Sequence, residues 1–275
     1  MKGIKKWMLS VCAIAMMVCV SGIQVSAAEA PVLGVYVPET DETILAPEGV
    51  LYQYKPSVVV YDDGSVLVEM AAFDENGNIV ADLWADSQVY FLEYQLDEKG
   101  SRVVEDMYLG NAYYLSAYYA YEYNDAGDVA YKYQVDENGE IYALYEYEYD
   151  VNGKLLSLLY VTSEYQALYE FAYKETGALK TTTVYDSNED VFETSYGYDD
   201  SGRLNTVVKD GEGYDCLFIT YDEVGHIAMA ETYSYLYGEG DYTSRVQYVY
   251  NELGMLELVQ VENVNTGQAT YKLLY

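Results

Sequence analysis

Tyr198-Asp199-Asp200-Ser201-Gly202-Arg203-Leu204 decides the fold, because the phrase it spells, aromatic-Asx-x-x-Gly-x-aliphatic, recurs along most of the chain. Further copies run Tyr123–Val129, Tyr149–Leu155, Tyr221–Ile227 and Tyr250–Leu256. Tyr173–Leu179 and Phe73–Ile79 follow the same plan, and Leu96–Arg102 is a degraded copy. The first residues stand at positions 73, 96, 123, 149, 173, 198, 221 and 250, a step of 23 to 29 residues. Self-similarity at such a step marks a repeat architecture.

Each phrase reads as a turn. An Asx side chain bonds to backbone two residues on, and glycine supplies the left-handed residue that ends the turn. Asp150 with Gly153, Asp199 with Gly202, and Asp222 with Gly225 are the clearest such pairs. They suit a type I turn followed by a glycine bulge, which matches the twist of a hairpin. The aromatic before the turn and the aliphatic after it then meet across the two strands. Secondary turn signals fall midway, at Asp136-Glu137-Asn138-Gly139, Asp186-Ser187-Asn188-Glu189 and Asp210-Gly211-Glu212-Gly213. Each repeat is therefore one hairpin, and the expected fold is all-β: an elongated antiparallel meander of tandem hairpins.

Alternation between the turns supports strands. Tyr145-Glu146-Tyr147-Glu148-Tyr149 puts tyrosines on one face and glutamates on the other. Two and four residues before the turn-opening aromatics stand Tyr121, Tyr147, Phe171, Tyr196, Ile219 and Tyr248, then Tyr119, Tyr145, Tyr169, Thr194, Leu217 and Val246. This parity is apolar nearly throughout and marks the buried or concave face. With 36 tyrosines against 5 phenylalanines, that face carries many hydroxyls that need partners or water.

The chain begins with an export signal: Lys2, Lys5 and Lys6, an apolar run from Trp7 to Val20, and Val25-Ser26-Ala27 as the cleavage site. Residues 1–27 are thus a signal peptide. All four prolines lie between Pro31 and Pro56, and proline cannot donate to a β ladder. Residues 28–49 accordingly read as an extended leader, and residues 50–275 as the repeat domain. Cleavage removes Cys12 and Cys19 and leaves Cys216 without a disulfide partner.

The formal net charge of −32 argues against nucleic acid and anionic lipid as partners, since both demand a basic surface. Solubility of a large sheet explains the charge, and attraction of cations or basic partners is the sharper alternative. Catalytic chemistry finds little purchase. His226, the one histidine, occupies the place after a turn glycine that Lys154 and Arg203 fill in other copies. No set of residues has the spacing of a zinc site, an EF-hand or a phosphate-binding loop. No catalytic residue, metal or cofactor is assigned.

The phrase at Tyr198–Leu204, with Tyr196 two residues earlier, resembles a YD repeat of the Rhs family over roughly residues 60 to 275. MORN-like repeats share aromatic-glycine phrases of similar period. The YD resemblance implies a wide spiral β-sheet, which in large members walls a shell around a toxin or builds the body of adhesion proteins. This chain has too few repeats to close a shell, and it ends in a strand with no toxin-like segment. The expected function is therefore that of a secreted, non-enzymatic bacterial protein at the cell surface or outside it. It would bind a glycan or surface protein through Tyr121, Tyr145, Tyr147, Tyr169 and Tyr196. The rival expectation is an assembly module that pairs with itself or a partner chain through a bare C-terminal strand edge.

Overall fold

The computed structural model describes residues 32–49, 52–85, 88–110, 112–210, 214–235 and 241–275; the signal peptide and the expected boundary at residue 50 lie outside them. Among the described residues there is no helix, and twenty strands form one antiparallel sheet. Two short strands come first, β1 (Gly34–Val37) and β2 (Glu42–Leu45). The repeats then supply β3 (Lys55–Val60), β4 (Val66–Phe73), β5 (Ile79–Ala85), β6 (Val89–Leu96), β7 (Arg102–Leu109), β8 (Ala112–Tyr123), β9 (Val129–Val135), β10 (Ile141–Tyr149) and β11 (Leu155–Thr162). The last nine are β12 (Gln166–Tyr173), β13 (Leu179–Asp186), β14 (Val191–Tyr198), β15 (Leu204–Asp210), β16 (Tyr214–Tyr221), β17 (Ile227–Tyr235), β18 (Asp241–Tyr250), β19 (Leu256–Asn263) and β20 (Gly267–Leu274).

Every strand from β3 to β20 pairs with its neighbours in sequence, as a meander requires. The repeated phrase builds the turns by the chemistry its residues carry. Asp150 Oδ1 accepts from the backbone of Asn152 at 2.8 Å and of Lys154 at 2.9 Å, and Gly153 takes φ +80°. Asp199 with Gly202, and Asp222 with Gly225, repeat the arrangement. A bulge follows each turn: Glu148 faces Ser157 while Tyr149 faces Leu155, leaving Leu156 extra. The expected cross-strand partners meet, among them Tyr173 with Leu179, Tyr198 with Leu204 and Tyr250 with Leu256.

Successive repeats are also tied by their tyrosines. Tyr173 donates to the Leu155 carbonyl at 2.9 Å, Tyr198 to Leu179 at 3.0 Å, Tyr221 to Leu204 at 2.8 Å and Tyr250 to Ile227 at 2.8 Å. Each rung joins one turn-opening phenol to the post-turn residue of the repeat before it. The side chain after the turn glycine lies on the next ring: Lys154 on Tyr173, Arg203 on Tyr221, and His226 stacked on Tyr250 at 4.6 Å. A phenylalanine would pack here and leave the carbonyl bare. This explains why tyrosine so outnumbers phenylalanine at these positions.

The sheet does not close into a barrel; it curls so that its first strands lie within the curve of its later ones. Met70, Leu83 and Phe91 of β4–β6 form one buried cluster with Ile219, Tyr248, Val259 and Leu273 of β16–β20. Burying side chains of this size contributes on the order of 2 kcal/mol each. Val66 of β4 packs with Leu179, Tyr196, Leu204 and Val207 of β13–β15. Polar bonds fix the hairpin tip between β3 and β4. Asp62 Oδ2 accepts from Lys132 Nζ and from the Tyr147 hydroxyl, both at 2.8 Å. The Gly64 carbonyl accepts from the Tyr196 hydroxyl, which also bonds Thr182 Oγ1 at 2.9 Å.

Two expectations about the ends need correction. Residues 34–37 and 42–45 are not an extended leader: β1 and β2 form a hairpin, with Pro38 in its turn. The C-terminal strand edge is not bare either, because β1 pairs with β20 through Gly34–Leu274, Val35–Leu273 and Tyr36–Lys272. The sheet's paired order therefore runs from β3 through β20 to β1 and β2. Its outermost strand on that side is four residues long and begins with Glu42, the short charged form that discourages strand addition. Pro56 sits on β3, which among the described residues pairs only with β4, where a missing donor is tolerated.

The seated hairpin tip makes a testable demand on Gly64. A Cβ there would lie 2.4 Å from Thr182 Oγ1 and 2.8 Å from the Tyr196 hydroxyl, whereas Gly139, also at φ +80°, has open space. Alanine at either site carries a left-handed strain of about 1–2 kcal/mol. Gly64→Ala should cost roughly another 1–3 kcal/mol for overpacking. Urea melts of the two variants compare them directly, and equal losses would mean that the tip is not seated against β13 and β14.

Candidate functional site

The concave face carries the residues the sequence nominated, and the structure divides them. Tyr121 is buried and donates to the Arg102 carbonyl at 2.9 Å. Tyr147 is committed to Asp62, and Tyr196, also buried, to Gly64 and Thr182. Tyr147 and Tyr196 hold the inner hairpin in place, and Tyr121 ties β8 to β7. Tyr145 and Tyr169 differ: both are half-buried, and their hydroxyls make no hydrogen bond among the described residues.

Tyr145 and Tyr169 belong to a larger set toward the rim opposite the repeated turns. Tyr145 lies on Tyr160 with ring centroids 4.8 Å apart, and Tyr160 on Tyr165 at 6.1 Å. The pairing explains the contact: Tyr145 stands directly opposite Tyr160, and Tyr169 opposite Leu158, on one face of β10–β12. Tyr119 of β8 adjoins Tyr145 across Lys132, whose Nζ is 5.2 Å from the first ring and 4.8 Å from the second. Tyr142, at the end of β10, is 51% exposed and electrostatically linked to Tyr119 and Tyr160.

Carboxylates flank this patch. The Tyr169 phenol is pushed up to about 12, first by burial and then by the Asp63 carboxylate, neighbouring tyrosines and Asp186. Tyr145 is raised by burial, then by Tyr160, Tyr119, Asp62 and Asp63. Tyr165 is raised by burial, then by Asp186, Tyr160 and Asp190. All three phenols stay neutral in physiological conditions and present intact ring faces with a hydroxyl at the edge.

Sequence reasoning passed over Tyr160 and Tyr165 as site residues. A signal for Tyr160 existed, since counting outward from Tyr149–Leu155 through one bulge residue places it opposite Tyr145. The turn-motif residues Asp150, Gly153, Asp199, Gly202, Asp222 and Gly225 lie at the other rim and serve structure. His226 Nδ1 is 3.0 Å from Asp222 Oδ2 as well as stacked on Tyr250. Cys216 is buried, and burial followed by Asp215 pushes its thiol up. Among the described residues no group of three or more His, Cys, Asp or Glu is placed to hold a metal ion.

A second polar cluster lies on the inner strands. Arg102 sits over the Tyr94 ring at 3.5 Å, with Asp82 at 3.8 Å and Glu105 at 3.5 Å. Tyr94 donates to Asp82 at 2.5 Å, and Tyr61 donates to Glu69. One oxygen each of Asp82 and Glu69 is buried without a partner. Three carboxylates thus share one guanidinium, and burial followed by the Asp82 charge pushes Glu69 up to about 7. Asp82 is raised as well, chiefly by burial and against the pull of Arg102.

No family model matches the chain, and no curated protein does. Among solved structures, TcdB2–TccC3 with Cdc42 is similar at 12% identity and a TM-score of 0.35, over 79% of this chain and 16% of that one. A porin-like protein from Bacteroides uniformis is similar at 11% identity and a TM-score of 0.43, over 70% of this chain and 94% of that one. A second, from Bacteroides vulgatus, shares 13% identity at a TM-score of 0.29, over 89% and 98% of the two chains. The chain thus spans about a sixth of the length of TcdB2–TccC3. At this level of similarity these likenesses assign neither a family nor an activity. No helix among the described residues is long and apolar enough to cross a membrane.

The inner cluster sets a pH dependence with a definite sign. Glu69 faces Tyr61, Asp82, Arg102 and Glu105, and Tyr248 approaches from β18. Its folded pKa of about 7 exceeds the ordinary 4.5, so the folded chain holds the proton more tightly than the unfolded one. That stability is complete below about 4.5 and is lost as pH rises through about 7. Glu69→Gln, which mimics the protonated form, should abolish this component. Denaturant melts from pH 4.5 to 8 would show wild type falling relative to the variant, by on the order of 3 kcal/mol. Parallel curves would mean that Glu69 ionises as readily inside the fold as outside it.

Proposed function

We propose that this protein is an exported, non-enzymatic sheet of the YD-repeat type, and that its concave tyrosine patch binds an extracellular ligand, a glycan or a surface protein. The observation that carries the reading is the state of the phenols. Tyr121, Tyr147 and Tyr196 spend their hydroxyls on the chain itself. Those of Tyr119, Tyr145, Tyr160, Tyr165 and Tyr169 make no bond among the described residues. A face built only for packing has no use for unbonded hydroxyls, and phenylalanine would fill the same volume at lower desolvation cost.

Rigid aromatic side chains suit recognition because they offer large contact area with little conformational entropy to lose. The rungs and turns hold the patch on strands rather than loops, so its geometry is set before any ligand arrives. The export signal and the repeat phrase support an extracellular setting and the YD-repeat reading. Strand addition at the C-terminus is less well supported, because β1 occupies that edge of β20.

The test is a screen of the protein on a glycan array and a panel of extracellular proteins, repeated with Tyr145→Ala combined with Tyr169→Ala. A specific ligand should emerge, and the double variant should bind it about tenfold or more weakly, as expected where buried aromatic anchors dominate. Absence of any ligand above background, or binding indifferent to both substitutions, would overturn the proposal.

A further inference from the structure

The chain places its own cations on tyrosine faces with great regularity. Lys154 lies over Tyr173, Lys174 over Tyr198, Arg203 over Tyr221 and Lys99 over Tyr123. At the edge of the concave patch, Lys132 does the same for Tyr119 and Tyr145 while bonded to Asp62. A cation over a ring is attracted by the negative face of the π system, and a nearby carboxylate adds to the pull. The patch continues past Lys132 through Tyr160, Tyr165 and Tyr169, which carry no cation among the described residues. Asp186 stands opposite Ala167, itself opposite Tyr160, on this face; its charge acts on Tyr165 and Tyr169, that of Asp190 on Tyr165 and that of Asp63 on Tyr169. The arrangement around Lys132 is thus repeated beside it, rings and carboxylates together, with the cation missing.

We infer that this part of the patch takes the ammonium or guanidinium group of a partner, and that the partner is a lysine- or arginine-rich polypeptide. The inference rests on the binding role proposed above and names the chemistry of its ligand. Charge decides between polypeptide and glycan. The chain carries −32 overall, which draws a basic partner toward the protein and repels the acidic sugars of many surfaces. Neutral sugars gain nothing from the carboxylates beside the rings beyond ordinary hydrogen bonds.

The probe is a fluorescent eight-residue oligolysine, titrated into the full protein at about 0.5 M sodium chloride, where exposed charges are largely screened. Wild type should bind it, and its acetylated form should not bind. Tyr160→Leu with Tyr169→Leu should weaken binding by about tenfold, the loss of two ring contacts. Tyr160→Phe with Tyr169→Phe should lose clearly less than the leucine pair, because the ring faces remain and only the hydroxyls go. Tyr131→Leu serves as the control, since Tyr131 bonds Glu146 on the opposite face, and should change nothing. Tyr160→Leu and Tyr169→Leu made singly keep the test open if the pair fails to fold, and each should weaken binding about threefold.

Equal losses in the phenylalanine and leucine pairs, or a loss in Tyr131→Leu, would overturn the inference, as would both single leucine variants binding like wild type. If oligolysine fails to bind while a glycan binds through Tyr145 and Tyr169, the cation assignment falls and the binding role stands. If neither binds, both fall.

Discussion

The architecture depends on one polar contact between segments far apart in sequence. The tip of the first repeat hairpin presents Asp62 and the Gly64 carbonyl to the concave face of the later strands. Lys132, Tyr147 and Tyr196 converge on them. A sheet that curls over its own first strands buries backbone and charge at the centre. Such burial is tolerable only where each group meets a partner. The Asp62–Lys132 pair is about four-fifths buried on both sides, and it gains a third participant in the Tyr147 hydroxyl. Breaking it would leave a charge in a site that water reaches poorly. The apolar clusters on either side then have a fixed register in which to pack.

Around that centre the repeats use tyrosine for two separate purposes. Four turn-opening tyrosines, Tyr173, Tyr198, Tyr221 and Tyr250, are structural: each bonds back to a carbonyl of the preceding repeat and carries a cation or imidazole on its ring. This couples neighbours and transmits order along the sheet, as expected of a quasi-one-dimensional repeat protein. The tyrosines of the opposite parity split according to depth. Near the hairpin tip their hydroxyls are spent on the chain, and farther out, at Tyr119, Tyr145 and Tyr169, they make no hydrogen bond among the described residues. The same residue type on the same face, two residues apart along the strand, thus does different work, because the inner hairpin reaches only part of the way across that face.

The inner strands also carry a cluster with more acid than base. Arg102 compensates Asp82 and Glu105, and Glu69 is left to hold a proton. The middles of β4 and β5 are buried on both faces, Met70 and Leu83 on one and Ala71 and Asp82 on the other, which is unusual for antiparallel sheets and follows from the curling. Their apolar face packs on β16–β20 and leaves the polar face to look inward.

Much of this was legible in local sequence. Asx and glycine at fixed spacing specify the turn, and the bulge it creates determines that Tyr198 meets Leu204 and Tyr250 meets Leu256. Strict alternation assigns Tyr145 and Tyr147 to one face and Glu146 and Glu148 to the other, since successive side chains point to opposite sides. These are consequences of chemistry within a few residues, so the chain alone determined the hairpin, the repeat and the two faces. Only the tertiary structure decided which hairpin lies inside the curve, that β1 covers β20, and which tyrosine hydroxyls bond to the chain. Those outcomes depend on twist and curvature accumulated over many strands. No local pattern records how far a sheet must curl before residue 62 reaches residues 132 and 147.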